Sequence, residues 1–267
     1  MSGEPAAEPR WLHVLELGSG LHLVTGAACA AVMTALVLAG RRWRGTDRER
    51  RLRRGWAFGI FAVQAVVLPV SFLPPYYSIH GSLPLHLCDV AIWLAAFGLL
   101  TGRRWLRSLS YFWGIGLCTQ AFFTPAIRDG PASLVYWAFF TVHVQVVGAA
   151  LYELVVLGYR PNARDLLVAC ASVLAYGLLV LPIDLALGVN YGFVGNVETS
   201  NPANVTDLLP AWPWRLAVLY ALVVAWMALL WLAGARLPGP RQPELRDLPP
   251  GSGAPPACPP PPAAPGA

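Results

Sequence analysis

The segment Leu83-Pro84-Leu85-His86-Leu87-Cys88-Asp89 opens an apolar run that continues to about Leu100. A histidine, a thiol and a carboxylate therefore stand at the head of a stretch able to cross a bilayer. Ionisable groups are costly in hydrocarbon, and those that persist there face the bundle interior or a water-filled cavity. Ser82 suits an N-cap and Pro84 the first helical turn, which predicts a helix beginning there with Cys88 one turn inside it. At such a position the helix dipole and the unpaired N–H groups favour a thiolate.

Outward from this stretch the same pattern repeats. Apolar segments run over about 20–40, 56–73, 83–100, 106–123, 132–157, 166–187 and 213–235. Each is long enough, at about 1.5 Å per residue, to cross a hydrocarbon core of about 30 Å. Of the 267 residues 56% are hydrophobic and 12% charged, where a soluble domain carries about a quarter charged. The runs are too continuous for the alternation of an outer-membrane barrel. The expected fold is all-α, a polytopic bundle of seven transmembrane helices spanning residues 19–236.

The connections set an orientation. Arg41, Arg42, Arg44, Arg48, Arg50, Arg51, Arg53 and Arg54 fill the first. Arg103, Arg104 and Arg107 lie in the third, Arg160 and Arg164 in the fifth, and Arg236, Arg241 and Arg246 follow the last span. The alternate connections hold Arg128 and acids such as Glu198 and Asp207. Basic loops stay cytoplasmic, so the N-terminus is expected outside and the C-terminus in the cytoplasm. Residues 1–18 read as a short external segment without a cleavable signal, and 237–267 as a disordered, Pro-rich tail. The long external loop around 188–212 contains Asn204-Val205-Thr206, a sequon relevant only in a eukaryotic host. Heavy Arg and Ala usage points to a GC-rich bacterium and hence to its plasma membrane.

Composition excludes several classes. All 19 basic residues are Arg, so no lysine imine can form and retinal-type or Schiff-base chemistry is ruled out. The net charge of +5 is explained by topology, and no nucleic-acid partner is expected. Cys29, Cys88, Cys118, Cys170 and Cys258 are scattered without a CxxC pair, which argues against a disulfide framework or haem attachment. Cys29, Cys118 and Cys170, set among Ala, Leu and Val, read as packing residues.

With this orientation the polar residues gather toward the outer side: His22, then His86, Cys88 and Asp89, then Gln120, Asp184 and Asn190. Glu153 is the main inner exception and reads as interfacial. The set describes a cavity opening outward. His86 and Cys88 are two residues apart and point to different sides of a helix, so a base for Cys88 comes from another span. His143, deep in the fifth, is the candidate, although counting from the segment starts puts it roughly 16 Å in and Cys88 roughly 6–8 Å in. A Cys–His pair in an apolar pocket is suited to nucleophilic acyl transfer through a thioester. Asp89, His86, Gln120, His22, Asp184 and Asn190 then orient the pair or its substrate. Membrane lipids serve as acyl donor and acceptor, and no cofactor or metal is called for.

The stretch 83–88 occurs together with Tyr111-Phe112-Trp113-Gly114, Gly116, Gln120, Thr124-Pro125, His143, Asn190-Tyr191-Gly192-Phe193 and Trp212-Pro213-Trp214. In this the chain resembles the YwaF-like bacterial integral membrane proteins, which are similar in turn to a eukaryotic transmembrane family of cysteine-dependent phospholipid acyltransferases. The resemblance covers about 22–231. It implies seven spans, a nucleophilic cysteine at Cys88 and a histidine partner at His143. Two other readings stand beside it. One is a metal-dependent lipid hydrolase drawing ligands from His22, His86, Cys88, Asp89 and His143. The other is a transporter built on spans broken at Pro69 and Pro182.

Overall fold

The computed structural model describes residues 8–196 and 208–237. The expected tail from 238 onward, Cys258 and the sequon at Asn204 lie outside the described residues. Seven α-helices follow in order: α1 (Gly20–Arg42), α2 (Asp47–Ser71), α3 (Leu87–Thr101), α4 (Arg104–Leu109), α5 (Leu134–Val155), α6 (Ala163–Leu187) and α7 (Trp214–Arg236). No β-strand occurs among the described residues. α4 runs directly into a π-helix, Ser110–Cys118, and a 3-10 turn, Thr119–Phe122, so that the three make one return segment. α1, α2, α5, α6 and α7 are each long and apolar enough to cross a membrane. The chain is thus an all-helical, multi-pass membrane protein.

The helix ends follow local chemistry. Ser19 Oγ accepts the His22 N–H at the start of α1. Asn162 and Asp165 cap each other's backbone at the start of α6, each bond 2.9 Å long. Such caps satisfy N–H groups that have no intrahelical acceptor. The N-terminal segment packs onto the bundle through its backbone, Leu15 N–H donating to Arg128 O and Gly130 N–H to His13 O.

Contacts fix how the helices pass one another. Arg107 pairs with Glu153 at one end of the bundle, Gly114 lies against Val146 and Ala150 midway, and Phe122 meets Phe140 at the other end. The return segment is therefore antiparallel to α5. α1 runs alongside α5, with Thr25 bonded to Tyr136 near one end and Gly40 packed on Tyr152 near the other. α2 descends past α3, Phe61 touching Trp93 and Phe97 and Arg53 reaching Leu99 O. Every Arg-rich connection among the described residues consequently falls at one end of the bundle.

α3 and the π-helix occupy the middle. Ala91, Ile92, Ala95, Ala96 and Leu99 are no more than 1% exposed, and the three alanines let the neighbouring backbones approach closely. Gly114 in the π-helix is required for the same reason, because a β-carbon there would sit 2.8 Å from that of Ala150. The five long helices turn Leu23, Val32, Phe58, Val66, Trp137, Leu178, Leu179 and Leu229 outward, as helices do where lipid is the solvent.

Two expectations are corrected here. α3 begins at Leu87 with His86 as its N-cap, not at Ser82 and Pro84. Ser82 Oγ instead accepts the Ser78 N–H within a turn. The reason is tertiary: two tyrosines from elsewhere hold the 79–85 backbone in a non-helical course, described below. Glu153, expected at an interface, is 1% exposed and bonded to Arg107 at 2.5 Å. The arginine-rich end is accordingly less apolar inside than composition implies.

Candidate active site

Cys88 is the second residue of α3, and it is half-buried. The N–H groups of Leu87 and Cys88 precede any intrahelical acceptor. Asp89 Oδ2 accepts the His86 N–H at 2.9 Å, which closes the first turn, while its Oδ1 lies 4.0 Å from Cys88 Sγ. Asp89 therefore holds the backbone that presents the thiol. Asp89 thus meets His86 through the His86 backbone N–H.

The chain leading into α3 is held by Tyr191 and Tyr176. Tyr191, fully buried, donates its hydroxyl to Ile79 O at 2.7 Å and accepts the Leu83 N–H at 3.2 Å. Tyr176 donates to Leu85 O at 2.6 Å. The Tyr191 ring also packs on that of His86, with centroids 4.6 Å apart. Asp184, 0% exposed, accepts the Tyr191 N–H at 3.0 Å and so fixes the loop that carries it. Asn190 Oδ1 accepts Gly195 N–H in the same loop. Gly192 has φ +59°, and a β-carbon on it would lie 2.7 Å from the Tyr176 hydroxyl, so no side chain fits. Asp184 and Asn190 thus act on the site by shaping the loop behind it.

His143 is buried in α5, and its Nδ1 donates to Phe139 O at 2.7 Å. That bond leaves Nε2 as the nitrogen with the lone pair, the tautomer a general base requires. Its ring sits between Phe139 and Phe122, with centroids 4.3 and 6.3 Å away. His143 is close enough to His86 for their charges to interact. Cys88, Asp89 and Cys118 are electrostatic neighbours in the same way, and Tyr176 interacts with all three.

The depth mismatch counted from segment starts is removed because α3 starts deeper in the bundle than α5. α3 and α5 run in the same direction, and a β-carbon at Gly98 would lie 3.7 Å from Glu153 Oε1. Cys88 is ten residues before Gly98, and His143 is ten before Glu153. At equal rise per residue the two side chains therefore stand at roughly the same level.

His22 and Gln120 are placed differently from the others. His22 accepts the Gly18 N–H on Nδ1 at 3.0 Å and donates from Nε2 to Phe122 O at 2.9 Å. Both ring nitrogens are used, so it braces Phe122, which in turn packs on His143. Gln120 is exposed and does not turn into the cluster. No group of three or more His, Cys, Asp or Glu side chains with metal-binding geometry is found among the described residues, so the ligand set of the hydrolase reading is not assembled. The cavity that reaches Asp89 runs along the flank of α3 toward Arg103 rather than opening only at the bundle's end.

Tyr176 and Cys118 were not among the expected site residues. Tyr176 is an aromatic in an apolar helix, and Cys118 is one cysteine among small apolar residues; neither has a neighbour in sequence that marks it. Tyr191 lay within a quoted motif, but its hydroxyl's partners are more than 100 residues away.

Neither the curated proteins nor the solved structures include a match to the chain. The model of the TMEM164 family, a transmembrane family, matches residues 17–231 and so takes in the first six helices and most of α7; the chain belongs to the TMEM164 family.

Proposed function

We propose that the protein is a membrane lipid acyltransferase in which Cys88 is the nucleophile and His143 the base. One observation carries the reading: His143, its Nδ1 tied to Phe139 O, offers a free Nε2 at the level of a thiol on the first turn of α3. The likeness of the chain to cysteine-dependent phospholipid acyltransferases supports the same assignment.

The chemistry balances on these two residues. The Cys88 proton passes to His143 Nε2, and the sulfur attacks the ester carbonyl of a donor lipid. The N–H groups of Leu87 and Cys88 face the developing oxyanion. The leaving alkoxide takes the proton back from His143, releasing a lysolipid and leaving a thioester on Cys88. A hydroxyl of the acceptor lipid then gives its proton to His143, attacks the thioester and restores the thiol. Apolar walls that exclude water favour transfer over hydrolysis. Asp89 and His86 hold the α3 start, and the Asp184–Tyr191 loop supports them.

The bundle is proposed to cross the membrane seven times, with α3 and the return segment as its inner spans. Its Arg-rich end faces the cytoplasm of a bacterial plasma membrane.

The test is reconstitution in vesicles with a labelled diacyl donor and a lysolipid acceptor. Wild type is expected to form a hydroxylamine-sensitive acyl adduct on Cys88 and to transfer label. Transfer at the wild-type rate by Cys88→Ala would refute the proposal.

A further inference from the structure

The flank of α3 carries a feature the proposed reaction does not use. A cavity of about 470 Å³ lies against it. Val90, Leu94 and Phe97 form its wall, and Thr101, Arg103 and Trp105 form one end. From Asp89 to Thr101 the helix rises about 18 Å, slightly more than half the hydrocarbon core, about 15 Å. The groove thus matches the reach of one leaflet's acyl chain. Phe97 is 46% exposed and Trp105 50% exposed, so the groove is open sideways to lipid.

Charge selects the head of that lipid. Three arginines start the return segment. Arg104 is bidentate to Asp165, at 3.2 and 2.6 Å, and Arg107 is paired with Glu153. Arg103 is exposed and makes no ion pair among the described residues. Its guanidinium therefore stands uncompensated at the mouth of the groove, beside a hydroxyl at Thr101 and an indole at Trp105. Guanidinium matches phosphate in shape and charge, and an indole sits well at headgroup level.

We infer that this groove binds one anionic phospholipid from the leaflet at the arginine-rich end, its phosphate on Arg103 and one acyl chain laid along α3 toward Asp89. The groove ends beside the candidate active site at Asp89, but the inference does not rest on the acyl-transfer reading.

Native mass spectrometry of the full chain, loaded with equimolar phosphatidylglycerol and phosphatidylcholine, tests the inference. One phosphatidylglycerol is expected to be retained in preference to phosphatidylcholine. Arg103→Gln should weaken its retention roughly fivefold, and Leu94→Trp, which fills the groove, should abolish it. Arg41→Gln, at an exposed arginine of the same end away from the groove, should leave it unchanged. Arg103 and Arg41 are exposed and Leu94 is half-buried at the groove wall, and an unshifted melting curve in detergent checks the fold of each variant. Equal loss in Arg41→Gln and Arg103→Gln would mean diffuse attraction and overturn the inference. So would full retention by Leu94→Trp, or equal retention of the two lipids. Transfer assays of the same variants are independent of this readout.

Discussion

His143 has one nitrogen committed to a carbonyl four residues earlier and the other left as an acceptor, whereas His22 has both committed to backbone. Removal of the two should therefore have different consequences. His143→Ala is expected to lower the transfer rate per folded molecule by about 10²–10⁴-fold, the usual contribution of a positioned base, beyond the loss of melting temperature that emptying a buried ring site brings. His22→Ala should lower the melting temperature more than it lowers the rate per folded molecule; both are read from vesicle assays beside thermal unfolding in detergent. Tyr191→Phe strands Ile79 O and Leu83 N–H in the interior and should cost about 1–3 kcal/mol of stability, measured by denaturant unfolding. At this scale the sequence was informative where chemistry is rare in lipid: Cys88, His143 and Asp184 stood out as polar groups in apolar runs. It was uninformative for Tyr176 and Tyr191, because an aromatic is ordinary in a membrane helix and only the fold shows which carbonyl its hydroxyl meets.

The start of α3 shows local and tertiary preferences in conflict. Ser82 and Pro84 are good helix-start residues, yet Tyr176 and Tyr191 hold the 79–85 backbone off the helical path, and the helix begins at Leu87. α3 starts deeper in the bundle than α5 does, so counting each residue from the start of its own segment hides that Cys88 and His143 stand at one level. The return segment was found as an apolar run, but its π-helical middle was not, since nothing in Ser110–Cys118 differs in composition from an α-helix. Glu153 and Arg107 tie that segment to α5, and Tyr159, beside both Arg104 and Arg107, adds an aromatic face; burial pushes its hydroxyl well above the ordinary phenol range. Glu153→Ala leaves a largely buried guanidinium without its partner and is expected to cost about 3–5 kcal/mol. Arg50→Ala, which breaks an exposed pair with Asp47, should change stability by less than about 1 kcal/mol. Paired unfolding curves test the contrast.

For the whole molecule, hydropathy alone marked each helical segment to within a few residues at most ends, since lipid demands long apolar runs and internal backbone pairing. The gathering of Arg at one end follows from the same alternation. Single cysteines introduced for His80 and Arg48 in an otherwise cysteine-free chain should report the sidedness. An impermeant thiol reagent is expected to label the first in intact cells and the second only after permeabilisation; the reverse pattern would invert the orientation. What the sequence did not reveal is that α3, the helix holding the thiol, has 15 residues, about 22 Å against a core of about 30 Å. As one of the seven proposed spans, a helix that short would be accommodated by thinning of the surrounding bilayer or by its neighbours. Turnover in the proposed transfer should then depend on the host membrane, rising in vesicles of short-chain lipids and falling in those of long-chain or sterol-stiffened ones.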